Sequence, residues 1–143
     1  MRKCVDGGRS FARRTFTTPK IRTFATPQFG HLPPPKTVYL PGGQLVQIDS
    51  EAQLDFVRSV LGSLEDNGVL TSWWTGATDI GREGNYYWAG SLDPVEDFMW
   101  SPGEPNAGAD ANCLILYPGL GYLGDDVGCV TYKGRRSFIC QKK

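Results

Sequence analysis

Four side chains with hard oxygen donors lie in two short stretches of the chain, and we expect both stretches to be loops. Glu104 and Asn106 flank Pro105, and Asp125 stands directly before Asp126. Carboxylate and amide oxygens suit Ca²⁺, whereas zinc and copper prefer histidine and cysteine ligands. The pattern therefore predicts a calcium site that the rest of the chain holds in place.

The composition indicates one loop-rich globular domain without a membrane span. The chain has 143 residues, of which 40% are apolar, with 18 glycines and 10 prolines. No run approaches the roughly 18 apolar residues of a transmembrane helix. Residues 1–36 hold eight Lys/Arg and one acid, whereas residues 37–143 hold seven Lys/Arg and fourteen acids. An acidic globular part favours cations and disfavours nucleic acid.

Residues 1–40 form a basic, Thr- and Pro-rich segment that is predicted to be disordered. Alternatives are a transit peptide, because the segment is nearly free of acids, and a nucleic-acid-binding arm, although no aromatic stacking pattern accompanies the positive charge. No stretch of seven apolar residues in 1–36 forms the core of a secretory signal. Four cysteines nevertheless favour an oxidising compartment, so we expect a secreted or extracellular protein.

Hydrophobic periodicity predicts one helix followed by short strands. Ser50 is a typical N-cap, and Gln53 completes a capping box. The following apolar residues recur at helical spacing; they are Phe56, Val57, Val60, Leu61 and Leu64. Strands are predicted at residues 42–48, 71–78, 86–89, 113–117, 121–123 and 135–140. One of Trp73 and Trp74 should enter the core and the other less completely, within an α+β domain.

An ordered set of unlike motifs over residues 41–141 resembles the C-type lectin domain. The set is Leu45-Val46-Gln47-Ile48, Trp74-Thr75-Gly76-Ala77, Asp79, Glu83-Gly84, Trp88, Trp100, Gly103-Glu104-Pro105-Asn106, Cys113, Cys129 and Cys140. The resemblance implies a double-loop α+β fold with short antiparallel strands, one clear helix and a long ligand-binding loop. It places the domain at residues 41–143 and leaves residues 1–40, where the family has its first strand and helix, without a match.

The resemblance also implies how the cysteines pair. Cys113 and Cys129 match the pair that joins the long loop to the following strand, so we expect a disulfide between them. Cys140 matches a cysteine whose family partner lies in the unmatched first helix. Cys4 is the other candidate partner, and the expectation that we favour is a free Cys140 or a domain that is incomplete at its N-terminal side.

In this family, a Glu-Pro-Asn triplet such as the one around Pro105 implies mannose-type binding. A cis bond before Pro105 would turn Glu104 and Asn106 toward one point. Glu104 accepts hydrogen bonds and the Asn106 amide nitrogen donates them, which matches two neighbouring equatorial hydroxyls. Mannose, N-acetylglucosamine, glucose and fucose present such a pair, whereas the 4-hydroxyl of galactose is axial. Asp125 and Asp126 complete the implied carbohydrate site.

The implied calcium ligands include two substitutes for family residues. Ala111 stands where the family has an acidic ligand, so Asp110 takes that role, and Asp125 replaces an amide with a carboxylate. Gly124 stands in place of a tryptophan, which is mainly a change of packing. Asp79 and Glu83 match an auxiliary calcium site, with solvated loop acids as the alternative. The ligand set of the main site is Glu104, Asn106, Asp110, Asp125 and Asp126.

We therefore expect calcium-dependent binding of mannose-type glycans or glycoproteins on cell or microbial surfaces. A single exposed site binds weakly, so useful avidity would need several copies. The alternative is a calcium-independent, lectin-like protein-interaction domain, which Ala111 and Gly124 favour. An enzyme is not expected, because the sequence has no HExxH motif and no phosphate-binding glycine loop, and its single histidine, His31, lies in the N-terminal segment.

Overall fold

The computed structural model describes residues 43–131, 133 and 136–142, together with three short strands nearer the N-terminus. In chain order the strands and the helix are β1 (Val5–Asp6), β2 (Ile21–Phe24), β3 (Val38–Tyr39), β4 (Gly43–Leu45), α1 (Glu51–Asp66), β5 (Ser72–Thr78), β6 (Tyr87–Trp88), β7 (Cys113–Tyr117), β8 (Leu123–Val127) and β9 (Arg136–Lys142). Single 3-10 turns lie at Asp97–Met99, Gly108–Asp110 and Pro118–Leu120. None of the described helices is both long and apolar enough to cross a membrane.

Helix α1 begins and ends where its capping residues predict. Ser50 Oγ accepts a hydrogen bond from the N–H of Gln53 at 3.3 Å. The Gln53 side chain in turn accepts from the N–H of Asp49 at 2.6 Å, so the reciprocal bond reaches one residue further back than in the usual capping box. Gly68, with a φ of 85°, follows the helix and donates to Glu65. The predicted helix is confirmed.

The buried face of α1 is rotated slightly from the predicted face. Leu54, Val57 and Leu61 are buried, whereas Phe56 is 50% exposed. Positions 54, 57 and 61 keep the spacing of one helix face. The helix therefore packs on the core as predicted, and only the assignment of Phe56 to that face is wrong.

Strand β9 organises the main sheet. The strand order is β2-β9-β5-β7-β8, while β4 also pairs with β9 and β6 also pairs with β5. The pairs are antiparallel except for β5 and β9, which are parallel. One helix with a mixed sheet confirms the α+β class, with a parallel pair added to the antiparallel strands that the sequence predicts. Strands β1 and β3 form a separate two-stranded sheet.

The core lies where the buried face of α1 meets the inner residues of the strands. Trp73 is fully buried and Trp74 is 9% exposed, as the sequence predicts for this pair. Three successive β7 residues, Leu114, Ile115 and Leu116, are completely buried. Strand β7 is therefore covered on both faces. It pairs directly with β8, the strand that contains Asp125 and Asp126.

The N-terminal segment contributes a strand to the main sheet. Strand β2 pairs with β9, with Arg22 opposite Cys140. This strand lies inside residues 1–40, which the sequence predicts to be disordered, and most of that segment, His31 included, lies outside the described residues. The domain boundary at residue 41 stays a prediction.

We predict that Leu61→Ala lowers the free energy of unfolding by about 2–5 kcal/mol, because it leaves a cavity under α1. Leu61 has no exposed surface. The matched control is Phe56→Ala on the same helix, which should cost much less because Phe56 is half exposed. Denaturant unfolding with the disulfides intact measures both values, and equal losses would contradict the assignment of the buried face.

Candidate functional site

One backbone carbonyl fixes the long loop between β6 and β7 to the start of β8. The carbonyl oxygen of Gly124 accepts the Ser101 N–H at 3.0 Å and the Ser101 hydroxyl at 2.7 Å. A Cβ at Gly124 would lie 2.6 Å from the carbonyl oxygen of Met99, so this approach needs a glycine. The glycine that replaces the family's tryptophan thus has a structural reason.

Asp126 holds the tip of the same loop with both oxygens of its carboxylate. Oδ1 accepts the N–H of Asn106 and Oδ2 accepts the N–H of Ala107, each at 2.9 Å. The residue is only 5% exposed. Hydrogen bonds from N–H groups compensate a buried carboxylate for lost hydration, so both partners gain from the contact. The position of the loop tip relative to β8 is set here.

The side chains on either side of Pro105 converge. The peptide bond between Glu104 and Pro105 is cis. Asn106 Nδ2 donates to Glu104 Oε1 at 2.9 Å. An amide nitrogen carries two hydrogens, so one more donor and the amide oxygen are available to a ligand.

Three carboxylates meet beside the loop tip. Ligand oxygens of Glu104, Asp125 and Asp126 all lie within 4.8 Å of one another. Negative charges at this distance repel unless a cation or a proton lies among them. Glu104 Oε2 is buried and has no hydrogen-bond partner in the described part of the chain. A buried oxygen of this kind, in a set of hard oxygen donors, fits a calcium ion.

Burial and mutual repulsion raise the pKa of two of these groups. The pKa of Glu104 is raised first by burial, then by its contact with the Asp126 side chain and by the charges of Asp125 and Asp126. The pKa of Asp125 is raised by burial and then by the charge of Asp126. Each of these carboxyl groups is therefore easier to protonate than a free one while only protein groups surround it, and a divalent cation would oppose both shifts.

The structure brings together four of the five predicted main-site residues. Glu104, Asp125 and Asp126 form one cluster and the Asn106 amide is hydrogen-bonded to Glu104, while Asp110 is exposed at the end of a 3-10 turn and is not part of the carboxylate cluster. Asp110 as a ligand stays a prediction without support from the geometry. Asp125 and Asp126 lie within strand β8, so the expectation that they occupy a loop is wrong.

The predicted auxiliary residues have unequal environments. Asp79 is 2% exposed, and its Oδ2 accepts the N–H of Gly84 at 2.8 Å, while its Oδ1 is buried without a hydrogen-bond partner among the described residues. Glu83 is exposed. Among the described residues, neither belongs to a group of three or more His, Cys, Asp or Glu side chains that could hold a metal. The auxiliary site stays a prediction.

Tyr86 is a site residue that sequence reasoning missed. Its hydroxyl donates to the carbonyl of Ala111, and its ring meets Trp100 edge-on with centroids 4.7 Å apart. Burial raises the pKa of Tyr86, followed by the charges of Asp79 and Asp126. Its place in an aromatic strand is visible in the sequence, but no local pattern names its partners. Tyr86 therefore holds the long loop at two points, Ala111 and Trp100.

The predicted disulfide between Cys113 and Cys129 is confirmed. The two Cα atoms are 5.2 Å apart, at a sequence separation of 16. Closing a loop of this length stabilises the fold by roughly 3 kcal/mol in the chain-entropy model. Cys140 is also disulfide-bonded, so the expectation of a free Cys140 is wrong; the other half of that bond lies outside the described residues.

Comparisons with known proteins agree with this geometry. No model of a protein family matches the chain. The chain is 29% identical to salivary C-type lectin 2 of Aedes albopictus over 109 residues, which is 71% of this chain and 70% of that protein. It is 35% identical to perlucin of Haliotis laevigata over 101 residues, or 69% of this chain and 61% of perlucin. The chain carries a C-type lectin domain.

A solved C-type lectin domain supports the same assignment. The carbohydrate-recognition domain of cow CD23, crystallised in the presence of a GlcNAc2Man3 oligosaccharide, is 29% identical with a TM-score of 0.53. The match covers 70% of this chain and 69% of that one. Lectins bind ligands without converting them, which agrees with the prediction that this domain is not an enzyme. The chain covers less than two thirds of the length of perlucin, so that similarity concerns one domain and not the whole of perlucin.

We predict that Asp126→Asn speeds amide exchange at the loop tip. The new NH2 group cannot accept a hydrogen bond, so one of the N–H groups of Asn106 and Ala107 loses its acceptor and the other keeps only a neutral one. A bond of this type is worth roughly 1.5–3 kcal/mol, equivalent to about tenfold to hundredfold faster exchange. Hydrogen exchange followed by NMR measures it, and Asp110→Asn is the exposed control that should leave both amides unchanged.

Proposed function

We propose that this C-type lectin domain binds carbohydrate at the tip of its long loop, with calcium as the cofactor. The observation that carries the proposal is the buried oxygen of Glu104, Oε2, which has no hydrogen-bond partner in the described chain and lies among three carboxylates. Similarity to lectins supports carbohydrate as the general class of ligand. The nature of the oxygen donors supports calcium over softer metals.

The ligands that would hold the ion are Glu104, Asn106, Asp125 and Asp126. A bound calcium ion supplies open coordination positions for sugar hydroxyls. Each oxygen of Asp126 already accepts one N–H, and a carboxylate oxygen has a further lone pair for a cation. Three carboxylates around a divalent ion leave a local charge of about −1, which favours neutral sugars over anionic ones.

The hydrogen-bonding capacity of the loop tip supports mannose-type sugars. Glu104 accepts a hydrogen bond from one hydroxyl, and the second amide hydrogen of Asn106 is donated to the neighbouring hydroxyl. Two adjacent equatorial hydroxyls meet this demand in mannose, N-acetylglucosamine, glucose and fucose, and the axial 4-hydroxyl of galactose does not. Asp125 stands where the family has an amide, so the site has one donor fewer and its affinity for a single sugar is low.

The proposed partners are glycans or glycoproteins on cell or microbial surfaces. A site of this size binds one monosaccharide with a Kd of roughly 1 mM, or about −4 kcal/mol. Several domains on one assembly would raise the avidity without any new contact. The disulfides of Cys113 and Cys140, and the salivary lectin among the relatives, support a secreted or extracellular setting.

A calcium-independent interaction with protein is the second candidate. It is motivated by Ala111, which stands where the family has an acidic ligand and is only 5% exposed, with its carbonyl engaged by Tyr86. In that case the carboxylates would share protons instead of an ion. Calorimetry that detects calcium binding together with competition by sugar would reject this candidate.

We predict that calcium affinity falls on mild acidification. Protons compete with calcium, and because the pKa values of Glu104 and Asp125 are raised, this competition begins above the ordinary carboxylate range of about pH 4. The carboxylates are ionised and bind calcium above the raised pKa values, and lose it below them. Calcium titrations by calorimetry from neutral pH downward should show the loss, and Glu104→Gln should show weaker binding with a smaller pH dependence. A constant affinity down to the ordinary range would contradict it.

We predict that the paired change Glu104→Gln and Asn106→Asp moves the preference from mannose toward galactose. The pair exchanges the positions of the donor and the acceptor on either side of Pro105. A glycan array with calcium and with a chelator measures the change, and mannose affinity should fall at least about tenfold, the equivalent of one lost charged hydrogen bond. Glu96→Gln, which changes an exposed acid that has no predicted ligand role and lies outside the cluster, is the control. Retention on mannose resin that a chelator does not reduce would refute calcium dependence.

A further inference from the structure

We propose that the domain binds the end of a longer glycan, and that the second sugar ring lies in a groove beside the calcium site. This inference rests on the proposed function, because the groove matters only if the first ring sits at the loop tip. Glu104 and Pro105 form one end of the groove and also belong to the loop tip. A ring attached to the first sugar would therefore leave the tip directly into this space.

The groove has the volume of a small-molecule site. It runs between the chain around Asn85 and the long loop, and its volume is about 500 Å³. Sites for small ligands commonly measure roughly 300–1,000 Å³ and combine an apolar wall with a few polar groups. The shared end at Glu104 makes it an extension of the proposed site and not a separate cavity.

The wall of the groove is apolar. Val95 and Trp100 are half-buried, and Tyr86 packs edge-on against Trp100 with an angle of 74° between the rings. Of the four tryptophans, Trp73, Trp74 and Trp88 are at most 9% exposed, so Trp100 is the one with appreciable exposed surface. The C–H face of a sugar ring can cover such a wall, and large rigid aromatics provide contact area at a low cost in entropy.

The rim of the groove is polar and carries negative charge. Asp97 is exposed, and its carboxylate can only accept hydrogen bonds. Asn85 donates one amide hydrogen to the Glu83 carbonyl at 3.1 Å, which leaves its amide oxygen as an acceptor. Hydroxyl groups are the donors that match these acceptors. Because Asp97 and Glu104 would repel an anion, the second ring is a neutral hexose and not a sialic acid, a uronic acid or a sulfated sugar.

The test compares one ring with two on the full chain in the presence of calcium. The probes are methyl α-mannoside and the α1-2, α1-3 and α1-6 mannobioses. At least one mannobiose should bind about fivefold more tightly than the monosaccharide, which is the value of one net hydrogen bond and exceeds the twofold gain expected from having two ends. The same mannobiose should change the tryptophan fluorescence, and methyl α-mannoside should change it less.

Asp97→Ala and Glu96→Ala form a matched pair of variants. Both acids are exposed neighbours in the chain, but only Asp97 lines the groove. The ratio of mannobiose to monosaccharide affinity should fall toward two in Asp97→Ala and stay at the wild-type value in Glu96→Ala.

Three results would overturn the inference. A wild-type ratio of two or less rejects the groove and leaves the proposed function intact. If the ratio of mannobiose to monosaccharide affinity is the same in Asp97→Ala and Glu96→Ala, and tryptophan fluorescence does not change, the second ring binds outside the groove. The absence of calcium-dependent monosaccharide binding refutes the proposed function, and the second-ring site is refuted with it.

Discussion

The paired hydrogen bonds from the loop tip to Asp126 are the contact on which the site depends. A nearly buried carboxylate must find donors, and Asp126 finds them in the N–H groups of Asn106 and Ala107. The contact satisfies two backbone groups of an irregular loop at the same time. It also brings Glu104 against Asp125 and Asp126, where three like charges accumulate. The stability of the loop and the electrostatic demand for a cation therefore have the same origin.

The helix takes part in placing the acidic strand. Arg58 Nε donates to the carbonyl of Gly121 at 2.8 Å, and the Tyr122 hydroxyl donates to Glu65 at 2.7 Å. Both bonds hold the turn directly before β8, while the buried face of α1 packs on the core. Because β8 is an edge strand paired only with β7 among the described strands, these two tethers supplement its sheet contacts. The position of the carboxylates thus depends on an element whose own role is packing.

Local signals in the sequence predict much of the fold, and contacts between distant residues account for what it does not predict. Capping at Ser50, strand β7 and the Glu-Pro-Asn triplet are local or motif-like, and the structure agrees with them. Asp125 and Asp126 have low strand propensity, yet pairing with β7 places them in β8. The Asp126 bonds to the loop, the Gly124 contact and the parallel pairing of β5 with β9 join residues far apart in sequence. No spacing pattern within the chain could indicate them.

The strand residues and the loop residues of the site differ in how strictly the backbone fixes their positions. Asp125 and Asp126 stand opposite Ile115 and Leu114 in a regular ladder, where a one-residue slip would exchange the faces of the strand. Glu104 and its neighbours belong to an irregular loop that keeps its course through a few backbone contacts, so its side chains can be replaced without disturbing any strand register. Substitutions in the β7–β8 hairpin therefore risk the strand register, whereas single substitutions in the loop can change which ligand is bound.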